Sequence, residues 1–343
     1  MGRKRNINFD ILRIVAAGIV FTVHLGQFTG MPKDVENGFY SVWLFFIMSG
    51  YLVFASLDKT KTLKEYWIKR VVRIIPLYWT MLVFIWVYDL LRGIVVDKVS
   101  LIEMISYKGA CGVRFLRYFI FANMFVPSEN YDLWNNRYGL WTMSAFALFY
   151  LIAPLFKKIA DSFWKSLIVY VLLFEVKEYL PDVIVSIFEP KYGAALDTLP
   201  VMNPFCVMYV FWIGVCAYYA VKEGKQLIYG GLLILSFMFF WFRGTEYDVM
   251  LGLIIMLAGS TSMVVSNEKL GKFISIASKC SWALYLTHLL WFDVVTRACS
   301  FIGAGLIVRW PLMVAGGLSM AYFACKGIEP VEKWVDVKMK ALL

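Results

Sequence analysis

The stretch NFDILRIVAAGIVFTVHLGQF, residues 8–28, decides how the chain is read. From Ile14 to Phe28 only Thr22, His24 and Gln27 interrupt the apolar side chains. A run of about 20 such residues, rising 1.5 Å each, crosses a ~30 Å hydrocarbon core as a helix. Three ionisable groups, Asp10, Arg13 and His24, sit on the stretch. Arg13 precedes His24 by eleven residues. Eleven steps of about 100° return nearly to the same helix face, roughly 16 Å further along the axis. Ionisable groups inside hydrocarbon are costly and mark functional positions. The chain has two histidines in all, and the second, His288, lies in another apolar run, Trp282–Val295.

The whole chain has the same character. Of 343 residues, 61% are hydrophobic and 17% charged, with a mean hydropathy of +0.68. Soluble domains carry about 25% charged residues. Apolar windows fall at about 8–29, 38–57, 74–92, 138–156, 163–180, 201–221, 226–242, 247–265, 272–296 and 307–326. The expected fold is therefore all-α, a polytopic bundle of ten transmembrane helices forming one integral membrane domain over residues 1–343. A further run, 115–126, carries Arg117 and spans only about 18 Å, so it is expected to be re-entrant or interfacial. Charge supports that choice. If 115–126 does not cross, 20 Lys/Arg face the cytoplasm against 11 outside; if it does, the count becomes 14 against 17. Only the first obeys the positive-inside bias, and it puts both termini in the cytoplasm.

Several function classes drop out. The net charge of +10 belongs mainly to loops, so nucleic-acid binding is not expected. Six cysteines without a Cys-x-x-Cys pair, beside two histidines, give no metal site. The apolar cysteines are expected to pack as small hydrophobes. The start MGRKR looks like the head of a signal peptide, but Asp10 and Arg13 interrupt the run that follows, which reads as a retained first span.

Four sets of residues are candidates for chemistry. Asp10, three residues before Arg13, is placed to pair with it. His24 is either a buried imidazole bonded to a carbonyl or a general base. Ser281, Tyr285 and His288 form one polar stripe, either a helix–helix hydrogen-bond network or part of a site. In the stated topology His24 and His288 lie at similar depth and could face one cavity from two helices. The basic stretch between the second and third spans holds Lys59, Lys61, Lys64, Lys69, Arg70 and Arg73. Either it anchors to membrane lipid headgroups, or Lys69, Arg70 and Arg73 clamp the phosphates of a ligand. Gly230-Gly231 and Gly316-Gly317 are expected to allow close helix approach.

Together these residues resemble the acyltransferase-3 family, integral membrane enzymes that acylate glycans. The opening Asn8-Phe9-Asp10-Ile11-Leu12-Arg13 with His24, the second-span run Trp43–Leu52 ending Ser-Gly-Tyr-Leu, and the basic entry Tyr66–Tyr78 match its order of motifs. So do Ser281-Trp282-Ala283-Leu284-Tyr285-Leu286-Thr287-His288 and the closing Ile328-Glu329-Pro330. The resemblance implies a bacterial plasma-membrane enzyme. It would move an acyl group, most simply acetyl, from cytoplasmic acetyl-CoA or another acyl-CoA to a hydroxyl of a surface or lipid-linked glycan. One departure stands out: where many members have a Glu pair, this chain has Phe146 and Ala147. The alternatives are a non-catalytic exporter or flippase of a glycan precursor, and a transporter relaying protons through His24 and His288.

Overall fold

The computed structural model describes residues 6–30, 35–106, 109, 111–125, 138–192, 202–240 and 246–341. Helices run Ile7–Thr29 (α1), Val35–Leu57 (α2), Leu63–Val95 (α3), Leu101–Ile105 (α4) and Leu116–Phe119 (α5). They continue with Trp141–Ile159 (α6), Phe163–Tyr192 (α7), Met208–Lys222 (α8), Gln226–Phe240 (α9) and Glu246–Ser260 (α10). The last two are long, Glu268–Phe301 (α11) and Leu306–Ala341 (α12). No strand occurs among the described residues.

Among the described residues, five helices are long and apolar enough to cross a membrane: Ile7–Thr29, the Tyr40–Leu57 part of α2, α3, α6 and α12. Three shorter apolar helices, Met208–Lys222, Gln226–Leu235 and Asp248–Ser260, accompany them. The 115–126 run forms a 3-10 turn, Val113–Phe115, and the four-residue α5. That helix is far too short to span. Val126 lies outside the described residues.

Two compact units divide the chain. The first comprises Met1–Tyr66, Ile152–Phe174 and Tyr209–Cys325; the second comprises Trp67–Leu151, Glu175–Met208 and Lys326–Leu343. In the first unit α1 packs most extensively on α11, then on α2, while α10 packs on α2 and α9. Asn6 caps α1 by accepting from the Asn8 N–H, and its amide donates to the carbonyls of Ala258 and Thr261 at the end of α10. Asn8 adds to the tie, accepting from the Met263 N–H and donating to Thr261. The opening Asn-x-Asn thus satisfies backbone groups at two helix ends at once.

Gly50 explains the second-span motif. A Cβ there would collide with the carbonyl oxygen of Phe211, and one on Gly214 would collide with that of Ile47. The α2 and α8 backbones therefore touch where both side chains are missing. Gly50→Ala should cost about 1–3 kcal/mol by overpacking. The check is the melting temperature of the detergent-purified protein, which should fall; no change would contradict the contact. Of the two glycine pairs singled out from sequence, Gly316-Gly317 behaves as expected, with Trp291 and Phe21 packed against it. Gly230-Gly231 does not: nothing lies within 4 Å of a Cβ at Gly231, and at Gly230 the contacts are ordinary.

The basic stretch also differs from its reading as a loop. Lys64, Lys69, Arg70 and Arg73 lie on the first turns of the 33-residue α3. The helix starts early because the Thr62 hydroxyl accepts from the Glu65 N–H, while the Glu65 carboxylate accepts from the Lys61 N–H. This is a capping box, moved one residue outward. Pro76, which removes one helical hydrogen bond, sits inside α3 without ending it.

Candidate active site

The site grows from the contact between α1 and α11. Asp10 Oδ1 accepts from Arg13 Nη1 at 3.1 Å and from the Ser278 hydroxyl at 2.8 Å. Asp10 is buried, so the pair fixes the Arg13 guanidinium relative to both helices. Fourteen residues further along α1 and ten further along α11, His24 Nδ1 meets His288 Nε2 at 2.8 Å. Both contacts advance in the same chain direction, so the helices run parallel. The two histidines expected at similar depth are thus brought together.

The hydrogen bonds define the tautomers. His288 Nδ1 lies 2.8 Å from the Leu284 carbonyl oxygen, which can only accept, so Nδ1 of His288 carries the proton. In a neutral ring its Nε2 is then an acceptor, and His24 must donate from Nδ1. That leaves the lone pair of His24 on Nε2. The rings lie 5.1 Å apart, 28° from parallel. His288 is buried, His24 partly so. Phe21, Tyr285 and Phe292 pack around His288 at 6.1, 6.3 and 5.7 Å between ring centres. Phe21, Leu25, Phe292, Val295, Cys299 and Met313 form an adjoining apolar cluster. Ser281 turns inward on its own helix, donating to the Ser278 carbonyl, and does not reach the histidines. Tyr285 stacks on Trp282 and lies edge-on to Phe45.

A cavity of about 920 Å³ opens in the same unit. Asp10 and Arg13 line it, with Tyr51, Asp58, Lys59 and Lys222. Arg13 lines this cavity, and His24 is not among its lining residues. At the cavity's rim, the Asp58 carboxylate accepts from Lys157 and Lys222, each at 2.5 Å, and from the Tyr218 hydroxyl. Burial pushes the Asp58 pKa up, but these three donors outweigh it and hold the group at about 2.

The other predicted residues lie in the second unit. Lys69 and Arg73 are exposed, and Arg70 is half-buried. The Arg70 guanidinium sits 5.3 Å from the centre of the Tyr150 ring, a cation–π distance. Arg70, Tyr150 and Ala147 line a separate cavity of about 300 Å³ with Trp67, Phe121 and Phe125. At Ala147 and Leu148 the wall of this cavity is apolar. Phe146 is buried. Arg73 lies within electrostatic reach of Glu332 on α12. Among the described residues no group of three or more His, Cys, Asp or Glu is placed to hold a metal ion.

The described residues form helices, several of them apolar enough to cross a membrane, and this is the architecture of a membrane protein. The acyltransferase-3 family model, described as an acyltransferase domain, matches residues 6–325, and the chain belongs to that family. Among curated proteins it is 25% identical over 225 residues to ORF330 of Acidianus two-tailed virus, whose name marks it as a proposed acetyltransferase. That match covers 63% of this chain and 58% of the viral protein. It is 28% identical over 166 residues to the peptidoglycan O-acetyltransferase OatA of Listeria monocytogenes, covering 45% of this chain and 24% of OatA. The chain thus spans about half the length of the first relative and a quarter of the second. No solved structure matches it.

Proposed function

We propose that the chain is a membrane-bound O-acyltransferase of a bacterial plasma membrane, with both termini cytoplasmic and ten spans. It moves an acyl group, most simply acetyl, from acyl-CoA to a hydroxyl of a surface or lipid-linked glycan. The family, the acetyltransferase names of two relatives and the positive-inside charge count support this reading. The single observation that carries the mechanism is the hydrogen-bond chain from Leu284 through His288 to His24.

In this reading His24 Nε2 takes the proton of the acceptor hydroxyl. The oxygen attacks the thioester carbonyl carbon, and the negative charge passes to the carbonyl oxygen. The C–S bond then breaks, and the leaving thiolate receives the proton from His24. His288 holds the His24 ring in the tautomer whose Nε2 is bare, as the orienting member of a catalytic triad does. Arg13, paired with the Asp10 carboxylate that Ser278 also holds, is proposed to attract the donor's negative charge, and Tyr285 supports the wall beside His288.

The test is direct. The purified, reconstituted chain is given labelled acetyl-CoA and a glycan acceptor, and label transfer is measured against CoA release. Arg13→Ala should lower kcat/KM for acetyl-CoA about 10²-fold, since it removes a cation and one of the donors to buried Asp10. Near-normal turnover would leave Arg13 a structural partner of Asp10.

A further inference from the structure

We infer that the 920 Å³ cavity of the first unit is a docking site for the phosphate-bearing end of the acyl thioester donor, with Lys59 and Lys222 as its contacts. This rests on the acyl-CoA reading above and adds a place and residues to it. Those residues are distinct from the Arg70–Arg73 stretch.

Size comes first. A cavity of this volume lies in the range of small-molecule sites, about 300–1,000 Å³. Charge comes next. Its lining carries three cations, Arg13, Lys59 and Lys222, and two carboxylates, Asp10 and Asp58. Both carboxylates are already occupied. Asp10 accepts from Arg13 and Ser278; Asp58 accepts from Lys157, Lys222 and Tyr218. Lys157 behind the rim adds a fourth cation, packed over the Tyr219 ring at 4.8 Å. The Lys59 ammonium has no carboxylate partner among the described residues and is exposed at the cavity edge. The field is therefore net positive and fits a polyanion. The hydroxyl-bearing residues Ser260, Thr261 and Ser262 line the same space and suit an amide-rich arm. The arrangement also has a direction: Lys59 and Lys222 are exposed, whereas Arg13 is half-buried. A ligand with phosphates at the rim would thus point its other end along α1, the helix that carries His24.

By comparison, Arg70 in the second unit faces an apolar cavity and stacks on Tyr150. That setting suits a ring or acyl chain better than a phosphate.

The experiment separates the phosphates from the rest of the donor. Turnover of acetyl-CoA and of acetyl-pantetheine, which has the same thioester arm without phosphates, is measured for the full chain, Lys59→Glu and Lys59→Arg. Lys59→Glu should raise KM for acetyl-CoA about tenfold or more, with kcat little changed. Its kcat/KM for acetyl-pantetheine should stay within about twofold of the parent, and Lys59→Arg should restore the acetyl-CoA value. Equal loss on both donors, or no loss on either, would overturn the proposal. A second arm needs no turnover: equilibrium binding of CoA to the detergent-purified chain should weaken about tenfold in Lys59→Glu and persist in His24→Ala. CoA binding that is unaltered in Lys59→Glu refutes this site and leaves the acyltransferase reading standing. A parent chain that neither binds CoA nor turns over acetyl-CoA removes both.

Discussion

His24→Ala is expected to lower kcat for acyl transfer by about 10²–10⁴-fold, the usual contribution of a general base. Its effect on folding should be small. His24 is only partly buried, and its one side-chain hydrogen bond among the described residues joins the His288 ring. The remaining ring keeps its bond to the Leu284 carbonyl and exposes an acceptor, Nε2, which water can satisfy. Activity measured in proteoliposomes, beside the melting temperature, separates the two effects. Full residual activity in a folded variant would remove His24 from the chemistry.

The second large effect is expected at His288, which is proposed to touch neither substrate. His288→Leu removes the acceptor for the His24 Nδ1–H, so the ring is free to rotate and to exchange tautomers. By analogy with a triad whose orienting member is lost, kcat should drop by about 10²–10⁴-fold. His288→Gln retains a side-chain oxygen that can accept from Nδ1, and should recover a measurable part of the loss. The split between kcat and KM is the diagnostic readout. A positioning role lowers kcat and leaves KM for acetyl-CoA nearly unchanged in both variants. If Gln and Leu fail equally and KM rises with each, His288 serves packing alone.

How much of this was legible in the sequence depends on the range of the interaction. The Asp10–Arg13 pair was, because residues three apart on one helix are neighbours. The near-equal depth of His24 and His288 was also readable from the charge bias. Their contact was not, because one sequence does not say which of several helices are neighbours. Ser278, beside Ser281, carries no local signal for a related reason. Its partner Asp10 is 268 residues away, and only the parallel packing of α1 on α11 makes it a ligand of that carboxylate. The early start of α3 had a local signal, Thr62-x-x-Glu65, which was masked by the density of lysines around it. The rim of the large cavity had none: Asp58, Lys157 and Lys222 come from three distant helix ends. Gly316-Gly317 and Gly230-Gly231 look alike as dipeptides, yet only the first pair is covered by bulky rings.

The chain's two histidines allow one decisive measurement, because labelling histidine alone with nitrogen-15 gives only four ring signals. In the folded protein both rings should show a protonated Nδ1 and a bare Nε2, with a coupling across the 2.8 Å link from His24 Nδ1 to His288 Nε2. A His24 ring protonated at Nε2, or the absence of any coupling between the two rings, would contradict the account.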